Sequence, residues 1–411
     1  MRKKIKADVA IVGGGMVGAT LACALLRGGV RVALVESHLP QRQWESSSVD
    51  LRVSALTEGS KNILNALGVW SGMVDMGVSP YRYMGVWDPR FGGELYFDAA
   101  DAGRDYLGHI VENRVTVAAL WSVIEKLKGV RVLCPSRVVD LSPSYSGYSL
   151  SLDDDCVIEP DLIVAADGSN SLIRSMSGMM VKGWSYGQHG LVTVVQTEDP
   201  HNETAYQRFL QEGPLAFLPL RDGRCSIVWT LSSETAKKTL TLSDSEFLVV
   251  LNEASGGILG QIQSAGKRVS FPLALHYTTS YSDKNLVLIG DAAHAVHPLA
   301  GQGANMGMLD AAALAQVVMQ ARQEGRALSS RMVLRRYERW RKGDNLAMLW
   351  GLDLLKRTFT GGMTPIGMVR SAGMNAVNSM QPIKNYLNSY AMGLREDLPQ
   401  LAYGESCWPE V

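Results

Sequence analysis

Three glycines at Gly13-x-Gly15-x-x-Gly18 stand where a short apolar run, residues 9–12, gives way to a segment rich in Ala and Leu. A strand that ends in such a loop and opens into a helix can cradle a pyrophosphate. Gly13 permits the tight turn, Gly15 removes the Cβ that would bar the backbone from the phosphates, and Gly18 lets the helix pack close to the strand. The helix N-terminus adds unpaired N–H groups and a partial positive charge. Val17, inside the same loop, is counted among the binding residues. Glu36 follows Gly18 by eighteen positions, where it can accept hydrogen bonds from an adenosine ribose. This pattern points to a dinucleotide and does not separate FAD from NAD.

Two later stretches repeat the design of an apolar run that ends in an acid. In the first, residues 162–165 lead to Asp167-Gly168, with Ser171 and Arg174 just beyond. Ligands of open parallel sheets sit at that end of a strand, although Asp-Gly alone is also a common turn. In the second, residues 286–289 lead to Gly290-Asp291, then to a loop through Pro298, Gly301 and Gly303, then to a helix starting near Ala304 and Asn305. The free N–H groups of that loop can face an anionic or electron-rich ligand. His294 and His297, three apart, suggest a metal. No third ligand is nearby and Pro298 interrupts the helix, so the expectation is no metal, with His294 packed or hydrogen-bonded.

The elements that must position these residues are legible as apolar runs. Residues 9–12, 16–27 and 30–35 read as strand, helix and strand, and such a βαβ unit implies a parallel sheet. Residues 86–97 read as a β-hairpin around a Pro/Gly turn, and 114–127 as helix. Residues 130–133, 149–152 and 162–165 read as strands, and 185–275 alternates short β-like runs with turns. Residues 286–289 make a buried strand, 305–324 an Ala-rich helix, and the chain from 333 onward is helical in tone. The expected class is α/β. A Rossmann-type domain is assembled from 1–79, 105–184 and 276–330, an antiparallel β-sheet substrate domain from 80–104 and 185–275 is inserted, and C-terminal helices occupy 331–411.

Composition narrows the function classes. Lys and Arg number 40 and so do Asp and Glu, which removes the basic excess expected of a nucleic-acid binder. The five cysteines, Cys23, Cys134, Cys156, Cys225 and Cys407, include no C-x-x-C pair, which speaks against a disulfide framework or a cysteine zinc site and for a cytoplasmic setting. A basic start followed by an uncharged run over 9–26 resembles a signal peptide or anchor. Its crowded glycines and its division into strand, turn and helix favour a folded start instead. Arg335, Arg336, Arg339, Arg341 and Lys342 form a basic cluster before Leu346, Leu349, Trp350 and Leu354. That helix reads either as a peripheral contact with the inner face of a membrane or as a solvated face packed on the domain.

Together, in this order, the three motifs resemble the flavoprotein aromatic hydroxylases of the para-hydroxybenzoate hydroxylase type, over nearly the whole chain. Finer stretches are similar to the ubiquinone-biosynthesis hydroxylases. They are 50–56 around Arg52, 109–114 ending in Arg114, 213–220, 305–310 and 337–345. The resemblance implies that the first domain binds FAD. Gly13, Gly15, Val17, Gly18 and Glu36 would hold the ADP half. Asp167 and Gly168 would contribute to the flavin site, Asp291 would bind the ribityl chain, and the loop from Pro298 through Gly301 to Asn305 would lie against the isoalloxazine. Gly303, Ala304 and Asn305 would donate backbone N–H groups to its O2 edge. Arg52 and Arg114 would sit near the flavin, and the Pro298 carbonyl would border the substrate.

The implied reaction is hydroxylation of the aromatic ring of a polyprenylated phenol. By that resemblance FAD would be reduced by NAD(P)H or a partner reductase and would take up O2 as a C4a-hydroperoxide. No second Gly-rich fingerprint is present for a nicotinamide, and no side-chain base is assigned. Phe217, Leu218, Pro219 and Trp229 are candidates to line the substrate pocket, their other reading being sheet core. A quinone-biosynthesis complex or a homo-oligomer is an expected partner arrangement. The alternatives are a flavin-dependent reductase of a lipid and a non-catalytic FAD-binding subunit.

Overall fold

The computed structural model describes residues 3–45, 48–145, 147–295, 301–359, 378, 380, 392–393 and 397–408. The chain opens with β1 (Lys3–Val12), α1 (Met16–Arg27) and β2 (Val32–Val35), then β3 (Val53–Leu56), α2 (Glu58–Ala66), α3 (Trp70–Gly77) and β4 (Ser79–Tyr81). A hairpin of β5 (Tyr83–Asp88) and β6 (Gly93–Asp98) precedes β7 (Gly108–Glu112), α4 (Asn113–Ile124) and β8 (Val130–Leu133). Next come β9 (Val138–Ser144), β10 (Gly147–Leu152), β11 (Cys156–Ala165) and the short α5 (Leu172–Ser177). The insertion holds β12 (Val181–Thr197), β13 (Thr204–Phe209), β14 (Pro214–Pro219), β15 (Cys225–Ser232), α6 (Ser233–Thr241), α7 (Asp244–Ser255), β16 (Ile262–Ala265) and β17 (Val269–Thr278). The chain returns through β18 (Ser282–Asp283), β19 (Leu286–Leu288) and β20 (His294–Ala295) to two long helices, α8 (Gln302–Gln323) and α9 (Arg331–Phe359).

The main sheet runs β18-β19-β11-β1-β2-β8, with β10 and β9 laddered onto β11. From β19 to β8 the pairing is parallel. α1 packs against it with α4 and α8 beside α1, and the end of β1, all of β2 and all of β19 are buried on both faces. That double burial is why these strands read as continuous apolar runs. The uncharged run over 9–26 is thus the end of the central strand, the loop and the first helix. No described helix is long and apolar enough to cross a membrane.

The second sheet runs β20-β17-β12-β15-β14-β13-β5-β6, antiparallel except where β13 meets β5. Between two register shifts in β12, at 185/188 and 196/197, it alternates. Leu191, Val195, Leu215, Phe217, Ile227, Trp229 and Leu231 face outward into a core closed by Phe247 and Leu251 of α7 and Ala236 of α6. The intervening residues face the main sheet. There Val194, Leu218 and Leu220 meet Val49, Leu51, Val53 and Ala55 of the nucleotide-binding side. β12 crosses the expected boundary at 184/185 without a break, and β20 lends the second sheet a strand from the returning chain. We propose the three-piece domain division given above, with β12 and β20 as the strands shared at its border. Of the tail after 330, α9 and a short turn over Gln400–Tyr403 are the described elements.

Candidate active site

The three motif-bearing strands are neighbours. Val12 of β1 lies beside Ala165 of β11, which lies beside Leu288 of β19. Ladder bonds carry on past the strand ends. Ala166 N donates to Val12 O at 2.8 Å, Ile289 N to Ala165 O at 3.0 Å and Gly13 N to Val35 O at 2.8 Å. Gly13, Asp167 and Asp291 therefore leave the sheet side by side, at the carboxyl ends of its parallel strands, where ligands of this architecture sit.

These tips and the inner face of the second sheet enclose a cavity of about 410 Å³. Gly15, Val17, Arg52, Gly168, Asp291, Gly303 and Ala304 line one side of it, and Gly190, Val192, Val228, Phe271 and Leu273 line the facing wall. Gly15 is the informative position. Its φ of −69° is open to any residue, and a Cβ built there would meet no atom within 4 Å. Neither backbone strain nor packing requires a glycine here, whereas a ligand lying against the backbone does. Gly18 differs, because a Cβ there would sit 1.9 Å from Gly13 O. Two helix N-termini face this cavity without a side-chain cap, α1 at Gly15 and α8 at Gly301 to Ala304. Their free N–H groups suit phosphate oxygens and a flavin edge that gains negative charge. The residues present fit FAD.

The glycine loop is fixed from behind. Glu36 Oε2 accepts from Gly14 N at 2.7 Å, and the Trp121 indole donates to Gly14 O at 2.8 Å. Glu36 Oε1 also takes the His38 N–H at 3.0 Å. Asp167 spends its carboxylate on α5, accepting from Ser171 Oγ at 2.5 Å and Leu172 N at 2.8 Å. It thereby shapes the turn that presents Gly168, whose φ of +83° requires glycine. Asn305 is buried and staples α8 to β3 and α2. Its side chain accepts from Thr57 N at 3.0 Å and Ser60 Oγ at 2.7 Å, and donates to Ala55 O at 2.8 Å. Val17 packs on Gly290 and Gly307. The Asp291 side chain is open to the cavity, yet the protein atoms massed around it raise its carboxyl above the usual range, an effect that His294, His276 and Arg52 offset in part.

Behind Asp291 lies a network that the sequence showed only as scattered motif letters. Asp310 is wholly buried and accepts from Gly290 N at 3.1 Å, His294 Nε2 at 2.5 Å, Arg341 Nε at 2.8 Å and Asn345 Nδ2 at 3.0 Å. Burial alone would raise its pKa, but His294, Arg341 and Asn345 outweigh burial and hold the carboxyl far below the usual range. A group whose folded pKa is depressed stabilises the fold above its ordinary pKa and loses that contribution as pH falls toward the folded value. We expect unfolding free energy to drop through the acid range, from about pH 4 downward, with a slope that shrinks in an Asp310→Leu/Arg341→Met variant. Denaturant melts from pH 7 to pH 3 check this, and an unchanged slope would refute it.

Several expectations need correction. Phe217 and Trp229 are not among the described residues that line this cavity. Both are nearly fully buried in the outer core under α6 and α7, because a strand alternates its faces and the inward residues of β15 and β12 are Val228 and Val192. Pro219 shares the outward phase of Phe217. Leu218 faces inward but belongs to the seam between the sheets, not to the cavity lining. Arg341 leaves the basic surface cluster for Asp310, and Lys342 pairs with Glu338 and the Thr279 carbonyl. Arg114 is buried on Glu112 at 2.7 Å, on Ser48 and over the Trp44 ring, away from the cavity lining. Pro298 and His297 lie outside the described residues. Among those described, no group of three or more His, Cys, Asp or Glu is placed to hold a metal. Burial lowers His109 to about 4, so it stands as a neutral ring against Trp70 and Tyr106.

Converging strand tips, two uncapped helix ends and an apolar facing wall define a flavin-binding protein with room for an organic substrate. Residues 6–132 and 146–344 match the family described as FAD binding domain. Over 389 residues the chain is 35% identical to the 3-demethoxyubiquinol 3-hydroxylase of Escherichia coli, covering 94% of this chain and 98% of that protein. It is also 35% identical over 403 residues to the ubiquinone hydroxylase UbiL of Rhodospirillum rubrum, with 97% and 93% covered. The p-nitrophenol 4-monooxygenase PnpA of Pseudomonas putida shares the fold, with a TM-score of 0.78 at 18% identity over 96% of this chain and 99% of that one. The chain belongs to the FAD-binding-domain family and, within it, to the ubiquinone-hydroxylase group of FAD-dependent monooxygenases.

Proposed function

We propose that this protein hydroxylates the aromatic ring of a polyprenylated phenol in ubiquinone biosynthesis, using FAD, O2 and electrons from NAD(P)H or a partner reductase. The observation that carries the proposal is the two-sided cavity, with nucleotide-binding strand tips on one wall and an apolar sheet face on the other. Bound FAD would supply electron transfer and oxygen activation. Gly15 and the α1 N-terminus receive the pyrophosphate, Glu36 the adenosine ribose and Asp291 the ribityl chain. The α8 N-terminus at Gly303 to Asn305 donates N–H groups to the isoalloxazine edge, with Arg52, Asp167 and Gly168 around the ring system.

The facing wall does the rest. Val192, Val228, Phe271 and Leu273 hold the substrate ring by apolar contact and keep water from the reacting centre. Arg52 and Asp291 are the titratable side chains of the described lining; Arg52 is a cation and Asp291 is assigned to the ribityl chain, so no side chain is assigned as a base for the phenol. The enzyme therefore relies on orientation and water exclusion rather than on an acid–base dyad.

Peripheral contact with the inner face of a membrane, from a cytoplasmic location, is drawn on α9. Arg335, Arg336 and Arg339 are exposed on it, as are Trp350 and Leu354. Flotation with anionic liposomes tests that contact, which fails if the protein stays in the unbound fraction.

The deciding experiment is analysis of the quinone intermediates that accumulate when this protein is removed from its host. An intermediate lacking one ring hydroxyl is expected. An unchanged quinone profile would sink the proposal. Bound flavin with turnover that needs no oxygen would favour the lipid reductase.

A further inference from the structure

We propose that His294, Asp310 and Arg341 form a positioning unit that sets the aim of Asp291 and thereby the affinity of the site for its flavin; this rests on the flavin reading above. None of the three lines the cavity. They act on the loop that connects β19 to β20.

The carbonyls of that loop are held from several sides. Tyr337 donates to Leu288 O at 3.2 Å, His276 Nε2 to Asp291 O at 3.1 Å and Arg174 to Ala292 O at 2.9 Å. Thr278 N donates to Ala293 O at 2.8 Å. The one N–H that decides the direction of the turn belongs to Gly290, whose φ of +58° is left-handed. It donates to Asp310 Oδ2, the same oxygen that takes the His294 N–H. Asp310 thus clamps the loop at both ends, at Gly290 and at His294, with Asp291 between them. Arg341 and Asn345 of α9 hold the other carboxylate oxygen.

Stability alone does not call for this arrangement. Apolar residues of similar volume would join α8 to α9 at least as well as a buried charge pair. They would not accept the Gly290 N–H or fix the imidazole. The charge network is explained by what it orients.

Three variants test this. His294→Leu removes the second clamp while Arg341 still balances Asp310, and His294→Gln returns an N–H donor. Asp310→Leu/Arg341→Met removes both charges together. In the flavin-free protein, hydrogen exchange of residues 288–294 is expected to speed up at least tenfold in His294→Leu and in the double variant, with the rest of the main sheet unchanged. The Kd for FAD, read by quenching of flavin fluorescence, rises at least tenfold in both, and His294→Gln recovers most of the loss. Wild-type loop exchange and wild-type Kd in either altered protein would overturn the assignment, as would faster exchange spread evenly over the sheet. If the unaltered chain takes up no FAD, the proposed function fails, and loop exchange still decides this inference.

Discussion

Gly15→Asp is expected to weaken FAD binding by at least about a hundredfold, or about 3 kcal/mol, without lowering the stability of the flavin-free protein. The expectation follows from the space around Gly15. A Cβ meets nothing within 4 Å there, and the residue caps α1 in an ordinary extended conformation. Asp is among the best N-cap residues, so the helix gains a partner for its free N–H groups. The same carboxylate then occupies and repels the place where phosphate oxygens belong. Gly18→Ala makes the opposite experiment, since its Cβ would collide with Gly13 O at 1.9 Å and the loop itself must move. Flavin titration and thermal melts of both apoproteins separate the two. A Gly15→Asp protein that binds FAD normally would show that no phosphate lies at this turn.

Trp229→Ala is expected to cost about 3–5 kcal/mol of stability while leaving the KM for the phenol unchanged in the fraction that stays folded. Val228→Trp should do the reverse, abolishing substrate binding with little change in the urea midpoint. The two residues are adjacent, yet strand alternation sends one into the core under α7 and the other into the cavity. Extra bulk at Val228 meets open volume, so no overpacking penalty arises. Measuring KM and unfolding free energy for both variants gives a crossed pattern. A Trp229→Ala protein that loses substrate affinity at full stability would restore the pocket role that its burial argues against.

Much of this architecture was readable because the main sheet is covered on both faces. Double burial writes long apolar runs, and each run ended in a recognisable tip: Gly13, Asp167 or Asp291. The inserted sheet was harder. Its strands are half-buried and their alternation is visible, but a sequence does not say which phase faces the flavin. Phe217 and Trp229 were attractive because aromatic rings suit a phenol, and large rings also suit a core. Val192, Val228 and Leu273 carried no chemical signal at all. Arg341 misled for a related reason. A run of basic residues looks solvated until a buried acid 31 positions earlier, Asp310, proves to lie within bonding distance of one of them. The Trp121 indole bond to Gly14 had no local signature either, because it joins residues 107 apart.

The interleaving of the main sheet governs how the protein must be made. β1 emerges before the other strands of this sheet, but its neighbour β11 begins only at residue 156, and β19, beyond that, only at residue 286. At roughly 5–20 residues per second, the first phosphate loop waits roughly fifteen seconds to a minute for its last structural neighbour. Until β11 is made the apolar edge of β1 is open to wrong partners, and from then until β19 appears it is the edge of β11 that lacks its parallel neighbour. Nascent chains not yet made as far as β19 should therefore lean on chaperones and hold no cofactor. FAD uptake becomes a late event in biogenesis, one that reports a finished backbone rather than guiding its assembly.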